Sequence, residues 1–108
     1  MEQSKKLRKS DCRFILALWA IHGSQRTPRG IAKYLNRDYN YVCTRMTGIK
    51  LMGVVRKLAT RQGTYFTKPE RGDVFLAVRD YFKVKIGVAA NNFDEFIKRF
   101  KKENETNP

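Results

Sequence analysis

Between Thr27 and Gly53 two helical patterns lie almost end to end, and that spacing restricts the fold more than any other feature of the chain. Thr27-Pro28 reads as an N-cap followed by proline at the first helical position, where its missing N–H costs nothing. The helix so opened runs to about Leu35, with Ile31, Ala32 and Leu35 facing inward. Asn36-Arg37 make a short turn, and Asp38 caps a second helix over about residues 39–52, stopped by Gly53. Val42, Met46 and Ile49 recur at i, i+4 and i+7 as its core stripe. Two helices joined by so tight a turn cross at a steep angle, which is helix-turn-helix geometry.

The flanks complete a mainly α chain with a small β-hairpin. Ser10 is placed to cap a first helix over Cys12–His22, with Asp11 in its positive first turn and Gly23 as its stop. Its apolar residues surround most of the helix, so it needs several neighbours. The eight-residue run Phe14–Ile21 follows a basic start, but it is too short to span a bilayer and reads as a buried helix. After Gly53, residues 54–60 and 64–66 are β-rich and separated by Arg61-Gln62-Gly63, a hairpin with a basic tip. Thr67-x-x-Glu70 has the form of a capping box for a fourth helix burying Val74, Phe75, Val78 and Tyr81 or Phe82. Gly87 and Asn91-Asn92 break the pattern before a last helix, with residues 103–108 fraying. The expected organisation is a basic flexible tail over 1–9, a core domain over 10–86 and a C-terminal helix within 87–108.

Charge narrows the partner. The 108 residues carry 23 Lys+Arg against 10 Asp+Glu, a formal +13. The surplus is localised: residues 12–69 hold eleven basic side chains and a single acid, Asp38, whereas residues 70–108 are nearly balanced. A merely solvated surface interleaves both signs. A polyanion is the partner this distribution fits.

Chemistry is excluded more than suggested. Cys12 and Cys43 lack any metal or redox spacing, and one histidine, His22, cannot build a common zinc site. His22 reads as a cation at a helix C-terminus, and the cysteines as small packing residues. No Gly-rich phosphate loop, paired catalytic carboxylates or nucleophile with a base partner is present, so the chain is read as neither an enzyme nor a cofactor carrier.

The stretch Thr27–Gly72 resembles the winged helix-turn-helix domains of the MarR, ArsR and PadR regulator type, in the compact form of archaea and their viruses. Ile31-Ala32-x-x-Leu35, Val42 and Ile49 carry the likeness, with Met52-Gly53-Val54-Val55 opening the wing and Phe66-Thr67-Lys68-Pro69-Glu70-Arg71-Gly72 closing it. It covers roughly 45 residues. The resemblance implies a recognition helix over about 39–52 in the major groove of double-stranded DNA and a basic wing over about 54–67 on backbone or minor groove.

Applied position by position, the resemblance puts Asn40, Tyr41, Thr44 and Arg45 nearest the base edges. Their chemistry agrees: Asn reads adenine, Arg reads guanine, and Thr meets a base or a thymine methyl. Independently, Asn40, Thr44 and Thr47 face away from the core stripe, where charged helix formers are the usual choice. Thr47 and Gly48 lie against the groove wall, and Arg29, Lys33, Lys57 and Arg61 are phosphate candidates. Thr27, at a helix N-terminus, can add backbone donors. Residues 5–9 can serve as a minor-groove arm.

The function expected is a sequence-specific transcriptional regulator, homodimeric, cytoplasmic and nucleoid-associated, with no membrane part and any small effector unknown. The alternative is an architectural protein that coats DNA with little sequence preference. For the dimer, Phe93, Phe96, Ile97 and Phe100 form an apolar stripe on a helix too short to stand alone, and related regulators dimerise through terminal helices.

Overall fold

The computed structural model describes residues 7–61 and 63–105, so the first six residues of the expected tail, Gln62 of the hairpin tip and residues 106–108 of the expected frayed end lie outside it. The chain is mainly α with one two-stranded antiparallel sheet. Its elements are α1 (Lys9–Ala20), a 3₁₀ turn (Gly23–Gln25), α2 (Pro28–Leu35), α3 (Tyr39–Leu51), β1 (Lys57–Thr60), β2 (Gly63–Phe66), α4 (Arg71–Phe82), α5 (Ile86–Asn91) and α6 (Phe93–Glu105). That order is compatible with a winged helix.

The helix pair forms from the signals that spell it. Thr27 Oγ1 accepts from the Gly30 N–H at 3.0 Å, and Asp38 Oδ2 accepts from the Tyr41 N–H at 3.1 Å. Asn36 ends α2 in the left-handed region at φ 56°, where asparagine is tolerated. Gly53, at φ 81°, does the same after α3. Gly30 answers a different need, close approach: a Cβ there would collide with the Gln25 carbonyl, so only glycine lets the 3₁₀ turn lie against α2.

In the hairpin Lys57 pairs with Phe66 and Thr60 with Gly63. All of β1 is exposed, and Phe66 alone of the two strands is buried, so the hairpin projects from the body and is anchored at its base. Thr67 holds that base: its N–H donates to the Arg56 carbonyl, and its Oγ1 accepts from the Arg56 N–H, both at 2.8 Å. The Phe66 N–H donates to the Arg26 carbonyl at 2.7 Å, which fixes the hairpin beside the start of α2.

Several local expectations are corrected. α1 starts at Lys9 without a side-chain cap, because the Ser10 hydroxyl accepts from Arg45 instead. It ends at Ala20, since Ile21 turns extended to bury its side chain, and Gly23 opens the 3₁₀ turn. Residues 7–9 are built into the fold: the Leu7 N–H donates to Asp80 at 2.8 Å, and Lys9 belongs to α1. No capping box forms at α4, because the Thr67 hydroxyl is engaged by Arg56 and Glu70 makes no side-chain cap bond. Phe75, Tyr81 and Phe82 are only partly buried. The break after α4 falls at Lys83, in the left-handed region at φ 58°, rather than at Gly87, which lies inside α5. The expected domain edge at 86/87 thus runs through a helix. Residues 103–105 stay helical, with Arg13 donating to Asn104 at 3.1 Å.

The largest correction concerns the C-terminal stripe. Phe93, Phe96, Ile97 and Phe100 are buried within the one chain, so they are not available as a dimer face. Phe93 packs edge-on against Trp19 of α1 and Phe75 of α4, Phe96 against Phe82, and Phe100 against Tyr34 and Tyr81. An intramolecular groove holds the helix without the association entropy a second subunit would cost. Covered by α4 and α6, the all-round apolar α1 also needs no second subunit, and Phe14–Leu18 are buried.

Candidate nucleic-acid interface

α3 has two unlike sides. Val42, Met46 and Ile49 are buried against α1 and α2. At 100° per residue, Asn40, Thr44, Thr47 and Leu51 occupy one narrow sector opposite them, and all four are exposed. None carries a charge. The Thr44 hydroxyl donates to the Asn40 carbonyl and the Thr47 hydroxyl to the Cys43 carbonyl, each at 3.1 Å. Both hydroxyl protons are thus engaged by carbonyls of α3 itself.

Cations border this strip on both sides. On one flank a cleft of about 140 Å³ is lined by Cys43, Thr47 and Lys50 of α3, Pro28 of α2, and Lys57 and Phe66 of the hairpin. Tertiary packing thus brings Lys57 of the hairpin beside Thr47 and Lys50 of α3. Lys50, one helical turn after Thr47, lies on the same side of α3, a position its spacing alone implies. On the other flank a cleft of about 210 Å³ is lined by Arg8, Asp11, Thr44, Arg45, Gly48 and Met52. Arg8, three-quarters exposed, stands there beside the strip.

The base-reading candidates separate. Asn40 and Thr44 are open to solvent. The Tyr41 ring leans edge-on against Phe14 of α1 at 6.1 Å and is 41 % exposed, so it borders the strip rather than crossing it. Arg45 is turned away: Nη2 donates to Asp11 at 2.7 Å and to Ser10 at 3.1 Å, and Nε is buried without a partner. Its guanidinium is a strut between α3 and α1, and the guanine-reading role expected of it is corrected accordingly.

Among the phosphate candidates, Arg29 and Lys33 are exposed on the side of α2 opposite Ile31 and Leu35. The Arg29 guanidinium lies over the Tyr39 ring at 5.1 Å, at the start of α3. Lys33 also borders a separate cleft of about 580 Å³ with His22, Tyr34, Lys101 and Asn104. Lys57 and Arg61 are exposed on the hairpin, and Gly48 leaves open space above α3 where a Cβ would stand. Thr27 is half-buried, its hydroxyl engaged in capping.

The thiols differ by environment. Burial, with the Asp80 and Asp11 carboxylates nearby, pushes the Cys12 thiol up to about 12. Cys43, on α3, is half-buried at the edge of the Lys50–Lys57 cleft. Among the described residues no three His, Cys, Asp or Glu side chains gather as a metal set, and no helix is long and apolar enough to cross a membrane.

No protein-family model matches the chain, and neither a curated protein nor a solved structure is detectably similar to it.

Proposed function

We propose that this protein is a sequence-specific double-stranded DNA-binding regulator, a winged helix-turn-helix with α3 in the major groove and the β1–β2 hairpin as the wing. The observation that carries this reading is the uncharged, exposed strip of α3, bordered by Arg8 on one side and by Lys50 and Lys57 on the other. Cations on the borders meet phosphates and set the register, while polar groups between them meet base edges. A coating protein that ignores sequence has no use for an uncharged strip at the centre of its basic face.

Selection from random duplex DNA, followed by a salt titration on the enriched site, tests this. An enriched motif supports regulation, and its symmetry reports how many subunits bind. Arg8, Lys50 and Lys57 on the borders, with Arg29, Lys33 and Arg61, amount to roughly six phosphate contacts per chain, so log K should fall against log[salt] with a slope of about −5 for one chain and about −11 for two. A slope shallower than about −3 removes this face as the binding surface. A steep slope with no enriched motif replaces the regulator with the architectural protein.

A further inference from the structure

We propose that the strip Asn40–Thr44–Thr47–Leu51 reads thymine C5-methyl groups, with Leu51 as a specificity-determining residue, so that the preferred duplex is rich in A·T pairs where α3 lies. The inference rests on the DNA-binding reading above and adds to it the base class.

Leu51 is 83 % exposed, and it falls in the same narrow sector as Asn40, Thr44 and Thr47. A lone exposed leucine is ordinary on a protein surface. One placed in line with an uncharged strip of α3 between basic borders is a contact waiting for an apolar partner. In the major groove the apolar group available is the thymine C5-methyl.

The threonines point to the same partner. Because each hydroxyl proton is held by a carbonyl of α3 itself, Thr44 and Thr47 present a γ-methyl and an acceptor lone pair, not a donor. Guanine displays two acceptors, O6 and N7, and is read by donors such as Arg or Lys. The strip contains neither, and Arg45, the nearest guanidinium on α3, is bound to Asp11 and Ser10. Asn40 supplies the one amide, suited to adenine N6 and N7.

A second copy of the chain is the rival occupant of Leu51. Charge opposes it: docking there would bring the Lys50, Lys57 and Arg8 borders of two molecules of net +13 together, whereas a phosphate backbone neutralises them.

The test uses the full chain and its selected duplex, with thymines replaced one at a time by deoxyuridine, which removes only the methyl. Each contacted methyl should weaken binding about fourfold, the equivalent of one buried methylene. Leu51→Ala, which removes no buried packing, should abolish the loss at the thymine nearest the end of α3 and leave the other positions sensitive. Full replacement by deoxyuridine without loss, in a protein that still prefers its selected duplex, overturns methyl reading and leaves base reading standing. Absence of any preferred duplex overturns both. A Leu51→Ala chain that changes its sedimentation but not its deoxyuridine profile assigns Leu51 to self-association, and the proposal fails.

Discussion

Arg45 Nη2 lies 2.7 Å from Asp11 Oδ1, joining the middle of α3 to the first turn of α1. The pair is largely sheltered, with the Asp11 side chain 13 % exposed and Arg45 21 %. It braces α3 against α1 and keeps the Arg45 guanidinium largely out of solvent. Arg8 approaches the other Asp11 oxygen at 3.7 Å, which keeps the base of the basic N-terminal segment beside Thr44 and Gly48.

Asp11→Asn should therefore destabilise the chain by about 2 kcal/mol, the scale of a hydrogen bond to a charged group left poorly matched. Arg45→Met combined with Asp11→Leu should recover part of that loss, since no charge then remains uncompensated. Urea midpoints of Asp11→Leu, Arg45→Met and the double variant form the cycle. Additive losses would mean that the two residues do not interact.

Asn40→Ala should weaken binding to a selected duplex by about 1–3 kcal/mol while leaving non-specific binding unchanged. Lys57→Ala and Arg61→Ala should weaken both alike, each reducing the salt slope by about 1. Equal losses on every sequence for Asn40→Ala would favour the coating protein.

Phe100 is fully buried between Tyr34 and Tyr81, so Phe100→Ala should cost about 3–5 kcal/mol. Phe96→Glu together with Phe100→Glu should yield an unfolded chain, not a folded monomer, because the charges would enter the core. Circular dichroism and a denaturant titration distinguish the outcomes. A stable double variant would place α6 outside the folding core.

Thiol chemistry should follow burial. At neutral pH an aromatic disulfide reagent should titrate Cys43 in the folded chain and reach Cys12 only on unfolding, because Cys12 is inaccessible and its thiol is pushed up to about 12. The linkage follows from the same shift. Above its ordinary value of 9.0 an unfolded Cys12 loses its proton while the folded one keeps it, so the unfolded state gains. Stability should be unaffected by Cys12 below that pH and decline as pH rises toward 12, and Cys12→Ala should flatten the decline. Burial and the Glu103 contact raise the Tyr81 hydroxyl as well, so Tyr81→Phe is the control for its share.

What the sequence determined by itself was whatever acts within a turn or two of chain. Thr27-Pro28, Asn36, Asp38 and Gly53 place the boundaries of α2 and α3 because capping and left-handed preferences are local. Val42, Met46 and Ile49 mark the inner side of α3, and hence its outer side, because helical period alone sets that relation. Gly63, read as part of the bend, instead opens β2 and pairs with Thr60, because strand pairing extends as far as the facing backbone allows. Tertiary structure decided what depends on residues far apart in the chain. An apolar stripe such as Phe93–Phe100 has the same pattern whether its own domain or a second subunit covers it, and only the aromatic groove of α1, α2 and α4 settles which. Arg45 carries a charge fit for a base or for a carboxylate, and Asp11, 34 positions earlier, claims it. Thr67 fits a capping box until the Arg56 backbone takes its hydroxyl. In each case several partners satisfy the same side chain, and packing brings only one within reach.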